Sequence, residues 1–383
     1  MKIAIIGAGP AGLHFASLMK RADPAHDITV YERGPRHVTW GFGVVFSENA
    51  LDFLRTDDEA LYDHLRPHME SWDDLTITHN GERVVIRGNG YAAIGRLEML
   101  ALLCAYVERL GVNIRFETEI TTLGQVADAD LVVAANGASS WVRDENRERF
   151  RTAVDLRSNK FMWCGSTKAF DTLSLTFHET VYGVFCAHHY RYAPGMSTFL
   201  IEVTEQTWRK AGFDVMSSED AMRLSERIFA AELNGHPIVS NRSCWRNFPV
   251  IWNEQWSFDN VVLLGDALRP AHFSIGSGTR MAMLDAVALA RAFGDTGADV
   301  PAALARFRVL RMPVMKKLWD AANRSMRWYE EMDARVPTMN ATEFAYDYMT
   351  RTGRVSHERV RELDPRLAGA YEALHPEVLG GPA

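Results

Sequence analysis

The chain begins MKIAIIGAGPAG, and this stretch restricts the fold more than any other among its 383 residues. Ile3, Ala4, Ile5 and Ile6 make a short apolar run that suits a buried strand. Gly7, Gly9 and Gly12 then follow in the spacing G-x-G-x-x-G, with a helix opening at Pro10 and Ala11 in the same turn. Gly7 permits the tight turn, Gly9 lets a pyrophosphate come close to the backbone, and Gly12 lets the helix lie against the strand. Free N–H groups and the positive end of the helix macrodipole favour an anion there. Glycine-rich turns also arise from packing alone, so the next segment matters. Ile28, Thr29, Val30 and Tyr31 read as a second strand ending in Glu32, about 20 residues after the last glycine, where an acidic group holds an adenosine ribose 2′-OH. Arg33 follows, and the alternative is a solvated Glu-Arg pair at a strand end.

With 47% hydrophobic residues, the chain has the composition and length of two intimately joined domains. A net charge of -7 gives no basic footprint for nucleic acid. Cys104, Cys164, Cys186 and Cys244 are dispersed and no His cluster has ligand spacing, so buried free thiols are expected rather than a metal site or a disulfide framework. A nucleotide-binding strand at Lys2 leaves no room for a signal peptide and no apolar run reaches membrane-spanning length, which points to a cytoplasmic protein with no membrane partner.

Beyond Glu32, Gly41 and Gly43 mark a loop, with Val44 and Val45, followed by a helical pattern that Ser47 can cap. The loop could pass over a bound cofactor or be an ordinary connection. Residues 74–87 alternate around Asn80-Gly81, a hairpin signal assigned to a second sheet. Arg96 opens an apolar-periodic helix that stops at Gly111; an arginine there opposes the macrodipole and could serve a phosphate or carboxylate. Val112–Phe116 and the apolar run Asp130 to Gly137 complete a doubly wound pattern. Residues 159–203 change to short β-branched and aromatic runs, an antiparallel sheet with His188, Tyr190 and Tyr192 on one face. These rings could wall a flat substrate or merely pack against the sheet's cover. Nucleotide-binding character returns at Val261–Leu264, where the strand ends in Gly265-Asp266; Gly276 and Gly278 flank a loop, and a helix starts near Thr279.

The expected fold class is α/β: a Rossmann-like dinucleotide-binding domain in three pieces (1–73, 95–157 and 259–300), an inserted antiparallel-sheet substrate domain (74–94 and 158–258) and a C-terminal helical region (301–383). That last region reads as a cap over one side, with a solvated basic streak of Arg311, Lys316, Lys317, Arg324 and Arg327.

The three glycine-bearing segments, in this order and separation, resemble the single-component FAD-dependent aromatic hydroxylases of the p-hydroxybenzoate hydroxylase fold. The runs GFGVVFSEN, NKFMWCGS, AHHYRY, MSTFLIEV and HFSIGSG look like the branch of salicyloyl-CoA 5-hydroxylases and anthraniloyl-CoA monooxygenases, and also like the tryptophan hydroxylase of violacein biosynthesis. The resemblance implies FAD, with NADH or NADPH and O2 as co-substrates, and ring hydroxylation through a flavin C4a-hydroperoxide. Carried over, Gly7, Gly9, Pro10, Ala11 and Gly12 would hold the FAD pyrophosphate, Glu32 and Arg33 the adenosine end, and Arg96 the dinucleotide. Gly43, Val44, Asn136 and Gly137 would also line the cofactor; Asp266 would bind the ribityl chain, and Gly276, Gly278 and Thr279 would offer N–H groups to the flavin's N1/O2 edge. Two departures stand out. Asn136-Gly137 replaces the family's Asp-Gly, and Leu268-Arg269 and His272-Phe273 stand where the third motif has Ala-His and Pro-Pro.

On this footing His188 is the first candidate for a base acting on the substrate and His272 the second, with Phe273, Tyr190 and Val45 against the substrate. The expected substrate is an ortho-hydroxy or ortho-amino benzoyl-CoA thioester, with a free indole or aryl acid as the alternative, in a monomer or homodimer. Arg191, Arg246 or the Lys316-Lys317 pair could receive the thioester's anionic end. Rival classes are a reductase or dehydrogenase of the same fold without oxygen insertion, a NAD-dependent dehydrogenase and a non-catalytic nucleotide-binding module.

Overall fold

A computed structural model describes residues 1–39, 41–47 and 51–380. Six strands form the first sheet in the order Ser257–Phe258, Val261–Leu263, Leu131–Ala134, Lys2–Ile6, Asp27–Tyr31, Asn113–Arg115. Neighbours are parallel except the outer pair Ser257–Phe258 and Val261–Leu263. Parallel strands covered on both faces must be apolar throughout, and no residue of Leu131–Ala134 is more than 3% exposed. Because Lys2–Ile6 sits in the middle, successive crossovers leave it in opposite directions and open a crevice at its carboxyl end. The helix Pro10–Ala22 starts there and buries Leu13, Phe15 and Met19.

The second sheet runs Ile238–Val239, Thr152–Ser166, Met196–Val203, Gly183–Ala193, Leu173–Thr180, Leu75–His79, Glu82–Ile86, with Trp245–Asn253 also paired to Thr152–Ser166. The hairpin at Asn80-Gly81 joins it through Leu75–His79, parallel to Leu173–Phe177. Asn80 and Gly81 both have positive φ, 49° and 91°, as a two-residue hairpin turn requires. Thr152–Ser166 runs unbroken through 157/158, where the sequence suggested a domain boundary; a register shift between Leu156 and Lys160 marks the place.

A third, three-stranded sheet was not anticipated. Gly43–Ser47, Tyr91–Gly95 and Glu70–Trp72 pair antiparallel. Ser47 therefore ends a strand instead of capping a helix, because Gly43 and Phe46 turn inward toward neighbours on other segments. Glu48 to Ala50, part of the expected helical pattern, lie outside the described residues, and the next helix is Asp52–Asp57.

The 31-residue helix Val300–Glu330 has Pro301 in its first turn and is capped by Asp299, which accepts from Ala302 N–H at 3.1 Å. It does not cap one side. Phe307, Met315 and Leu318 pack into the core of the parallel-sheet domain, and Trp328 and Tyr329 into that of the antiparallel sheet. Arg311, read as part of a solvated streak, is buried at 4% exposure because Asp285 compensates its charge. Cys104, Cys164 and Cys186 are buried, whereas Cys244 is exposed. Among the described residues, no helix is long and apolar enough to cross a membrane.

Candidate active site

Three distant glycine segments converge at the crevice. Gly7, at φ 107°, donates to Tyr31 O at 2.8 Å, and a Cβ there would stand 2.5 Å from Ala135 O. At Gly12 a Cβ would meet Gly7 O at 2.4 Å, so helix and strand are in backbone contact. Gly9 differs: its nearest neighbour to a Cβ is Ala135 O at 4.0 Å, leaving the helix start open to a ligand. Gly265 brings in the third segment, since a Cβ on it would lie 2.9 Å from Ala11 Cβ. Asp266 and the Gly9–Gly12 turn thus border one recess. Arg143, which sequence reasoning missed, ties the second segment to the third by donating to Ala138 O at 2.7 Å and Ala267 O at 3.3 Å.

The polar groups around this recess suit a dinucleotide. Glu32 Oε2 accepts from Ala8 N–H at 2.9 Å and Oε1 from Gly34 N–H at 2.8 Å, which fixes the carboxylate and leaves lone pairs for sugar hydroxyls. Arg33 beside it is exposed. Asn136 Oδ1 is buried with no partner, an orphan acceptor at the mouth of the glycine turn. Asp266 is exposed, yet into a recess walled by protein; desolvation raises its pKa above the ordinary value, with Arg96 and Arg269 pulling it back and Asp285 adding to the rise. Behind it, Asp285 Oδ1 accepts from Arg269 at 2.6 Å and Arg311 at 2.7 Å, a buried triad with one charge in excess. An open cradle, an unpaired amide oxygen and a carboxyl set in a recess fit FAD.

Thr39, Gly41 and Gly43 are tied by hydrogen bonds to residues of other segments. Asn241 Nδ2 donates to Thr39 O and Gly41 O, both at 3.0 Å, and Arg96 Nε donates to Thr39 Oγ1 at 3.3 Å. Gly43 N–H donates to Thr198 Oγ1 at 2.9 Å and its carbonyl accepts from Tyr190 O–H at 2.9 Å. Tyr190, buried, stacked on Trp72 and donating its O–H to Gly43 O, positions Gly43. Tyr192 packs directly on Gly43, where a Cβ would come within 2.6 Å of its ring. Val45 reaches the third segment, its Cγ1 lying 3.5 Å from a Cβ built on Gly276.

Facing them is an aromatic wall centred on Phe273, whose ring lies 5.0 Å from Phe161, 6.0 Å from Trp163, 5.3 Å from His188 and 4.1 Å from His272. His188 Nε2 lies 3.2 Å from Glu202 Oε2, and Glu202 Oε1 accepts from Asn159 Nδ2 at 2.9 Å. Burial pushes Glu202 up, but the hydrogen bond from His188, the neighbouring imidazoles and the Asn159 amide outweigh it and hold the carboxyl below its ordinary range. With an ionised carboxylate as its acceptor, Nε2 carries a hydrogen, and in a neutral imidazole Nδ1 would then be the acceptor. His188 keeps 9% of its side chain exposed against 1% for Glu202, so the imidazole is the more accessible of the two. His272 sits behind Phe273, its Nδ1 accepting from Ser274 N–H at 3.3 Å, and burial drops its pKa to about 4. Glu202 was legible as the one acidic residue in the apolar run MSTFLIEV; Asn159 had no local signal.

Of the cations named for a thioester, Arg191 is tied to Glu70 at 3.1 Å and Lys316 to Asp320 at 3.0 Å.

Residues 1–322 match the FAD binding domain family. The chain is 39% identical over 361 residues to a salicyloyl-CoA 5-hydroxylase of a Streptomyces species, covering 92% of this chain and 70% of that protein. It is 34% identical over 362 residues to protodeoxyviolaceinate monooxygenase of Chromobacterium violaceum (92% and 94% covered). It is also 33% identical over 370 residues to 3-hydroxy-4-methyl-anthranilyl-(aryl-carrier protein) 5-monooxygenase of Streptosporangium sibiricum (97% and 99%). Among solved structures, 2-methyl-3-hydroxypyridine-5-carboxylic acid oxygenase superposes with a TM-score of 0.69 at 15% identity, covering 87% of this chain and 93% of that one, and shares the fold. By its sequence and its converging glycine segments, the chain belongs to the FAD-dependent aromatic monooxygenases that carry this FAD binding domain.

Proposed function

We propose that this flavin-dependent monooxygenase hydroxylates an ortho-hydroxy or ortho-amino benzoyl-CoA thioester of the salicyloyl-CoA type, with NADH or NADPH as electron donor. The observation that carries the substrate class is the 39% identity to a salicyloyl-CoA 5-hydroxylase across 92% of the chain. The carrier-protein substrate named for a second relative supports a thioester as well.

FAD, when bound, supplies the electrons and the activated oxygen. The chain's residues bind, orient and shield. Gly7, Gly9, Pro10, Ala11 and Gly12 hold the pyrophosphate at the helix start, and Glu32 takes the ribose with Arg33 beside it. Asp266, Arg96, Asn136 and Gly137 line the middle of the dinucleotide, while Gly43, Val44, Gly276, Gly278 and Thr279 surround its ring end. Phe273 and Val45 wall the substrate ring and keep water out. His188 accepts the proton of the ring's hydroxyl or amino group at Nδ1, which enriches the ring in electrons, while Glu202 and Asn159 hold the imidazole in that tautomer. His272, neutral and screened by Phe273, supports the wall.

A relative whose name gives no thioester carrier favours a second reading, a free indole or aryl acid. Incubating the flavin-loaded protein with NADH or NADPH and each of salicyloyl-CoA, anthraniloyl-CoA, salicylate and tryptophan separates the two. The expected result is a gain of one oxygen atom by a CoA thioester, read by product mass. Nicotinamide oxidation without that gain overturns the thioester reading. His188→Ala lowers the hydroxylation rate about 10²- to 10⁴-fold, the range for loss of a general base.

A further inference from the structure

An open groove of about 290 Å³, near the lower end of the roughly 300–1,000 Å³ typical of ligand sites, lies along the helices Val300–Glu330 and Ala341–Thr350 and the turns that follow them. Arg324, Arg327, Arg335 and Arg351 line it against only Glu331 and Asp347. Both carboxylates are committed to one arginine, since Arg335 bonds Glu331 at 2.5 Å and Asp347 at 2.8 Å. The others meet neutral acceptors or none: Arg324 Nε donates to Thr352 O, Arg351 donates to Ser325 Oγ, Tyr348 O and Ser274 O, and among the described residues no carboxylate pairs with the exposed Arg327. On a chain of net charge -7 this is a local concentration of the opposite sign. Guanidinium forks with unused N–H donors match phosphoryl oxygens.

The groove is joined to the substrate wall. Arg351 Nη2 donates to Ser274 O at 2.9 Å, next to Phe273, and Ser274 Oγ is bonded to Ser325 Oγ at 2.8 Å beneath the same arginine. We propose that this groove binds the phosphoryl groups at the nucleotide end of a coenzyme A thioester whose aryl end lies against Phe273 and His188. This rests on the thioester reading above.

The test titrates the flavin-loaded enzyme with coenzyme A itself, which has no aryl group, by calorimetry. Binding should weaken with added salt, and Arg327→Glu should weaken it at least about tenfold, the worth of one charged hydrogen bond. In turnover, the ratio of kcat/KM for salicyloyl-CoA to that for the salicyloyl N-acetylcysteamine thioester, which has no phosphate, should fall by a similar factor in the variant. An unchanged ratio, or no binding of coenzyme A, overturns the groove. Equal affinity for 4′-phosphopantetheine and coenzyme A overturns its assignment to the nucleotide end. Coenzyme A that binds through Arg327 while no thioester is hydroxylated supports the groove and sinks the substrate reading; a hydroxylated truncated thioester with no coenzyme A binding does the reverse.

Discussion

The dinucleotide cradle and the substrate wall are built on opposite principles. In the cradle the critical contacts are backbone to backbone: Gly12 touches Gly7 O and Gly7 touches Ala135 O, leaving no space for any side chain. In the wall they are side chain to side chain, with Phe161, Trp163, His188, Glu202, Phe273 and Tyr329 drawn from strands and helices far apart in sequence. A backbone cradle holds one cofactor and resists change, whereas a wall of side chains can be re-cut for another ring without disturbing it. The relatives fit this contrast, since their names share an oxygenase chemistry and differ in substrate.

Four experiments probe the contrast. The largest effect belongs to the frame behind the cradle. Asp285→Asn leaves two buried guanidinium groups without their carboxylate and should cost about 3–5 kcal/mol, read from the urea midpoint. A cost under about 1 kcal/mol would mean that the cradle has no rigid support.

Next comes His272 in the wall, held at about 4 by burial against an ordinary 6.5. Between these values the unfolded chain binds a proton that the folded chain refuses, so stability is full above 6.5 and is lost as pH falls toward 4, by about 3 kcal/mol in all. His272→Gln should flatten this part of the stability profile. His189, on the sheet's opposite face and held at about 3, keeps a residual slope in the variant. An unaltered profile would show that the wall admits water around His272.

The two cradle glycines should then part company. Gly12→Ala forces a Cβ onto Gly7 O and should destabilise the fold by about 1–3 kcal/mol. Gly9→Ala meets only Ala135 O, at an uncrowded 4.0 Å, and should leave the melting temperature nearly unchanged while the purified protein loses its flavin absorbance. If Gly9→Ala retains FAD as tightly as the parent, the open side of this turn is not where the cofactor sits. The smallest effect is Tyr190→Phe, which removes the donor to Gly43 O and should cost about 1 kcal/mol in thermal unfolding with a rise in KM. An equal cost for Val45→Ala with no change in KM would detach Gly43–Val45 from the substrate site.

Much of this was legible in the chain. The glycine spacing at 7, 9 and 12, the acidic residue at 32 and the apolar run 131–134 specify the parallel sheet and its crevice, because turn chemistry and strand burial are local properties that neighbours in sequence decide. Period-2 alternation likewise placed His188 and Tyr190 on one face. Alternation cannot say what a side chain meets across a gap. Only the folded chain showed that Tyr190 donates to Gly43, that Glu202 and Asn159 stand behind His188, and that Arg311 turns inward to Asp285 while Arg327 faces a groove. Each of those outcomes depends on which distant segment supplies the opposing charge or hydrogen bond, and the energy of such a pair exists only once tertiary packing has brought its members out of water together.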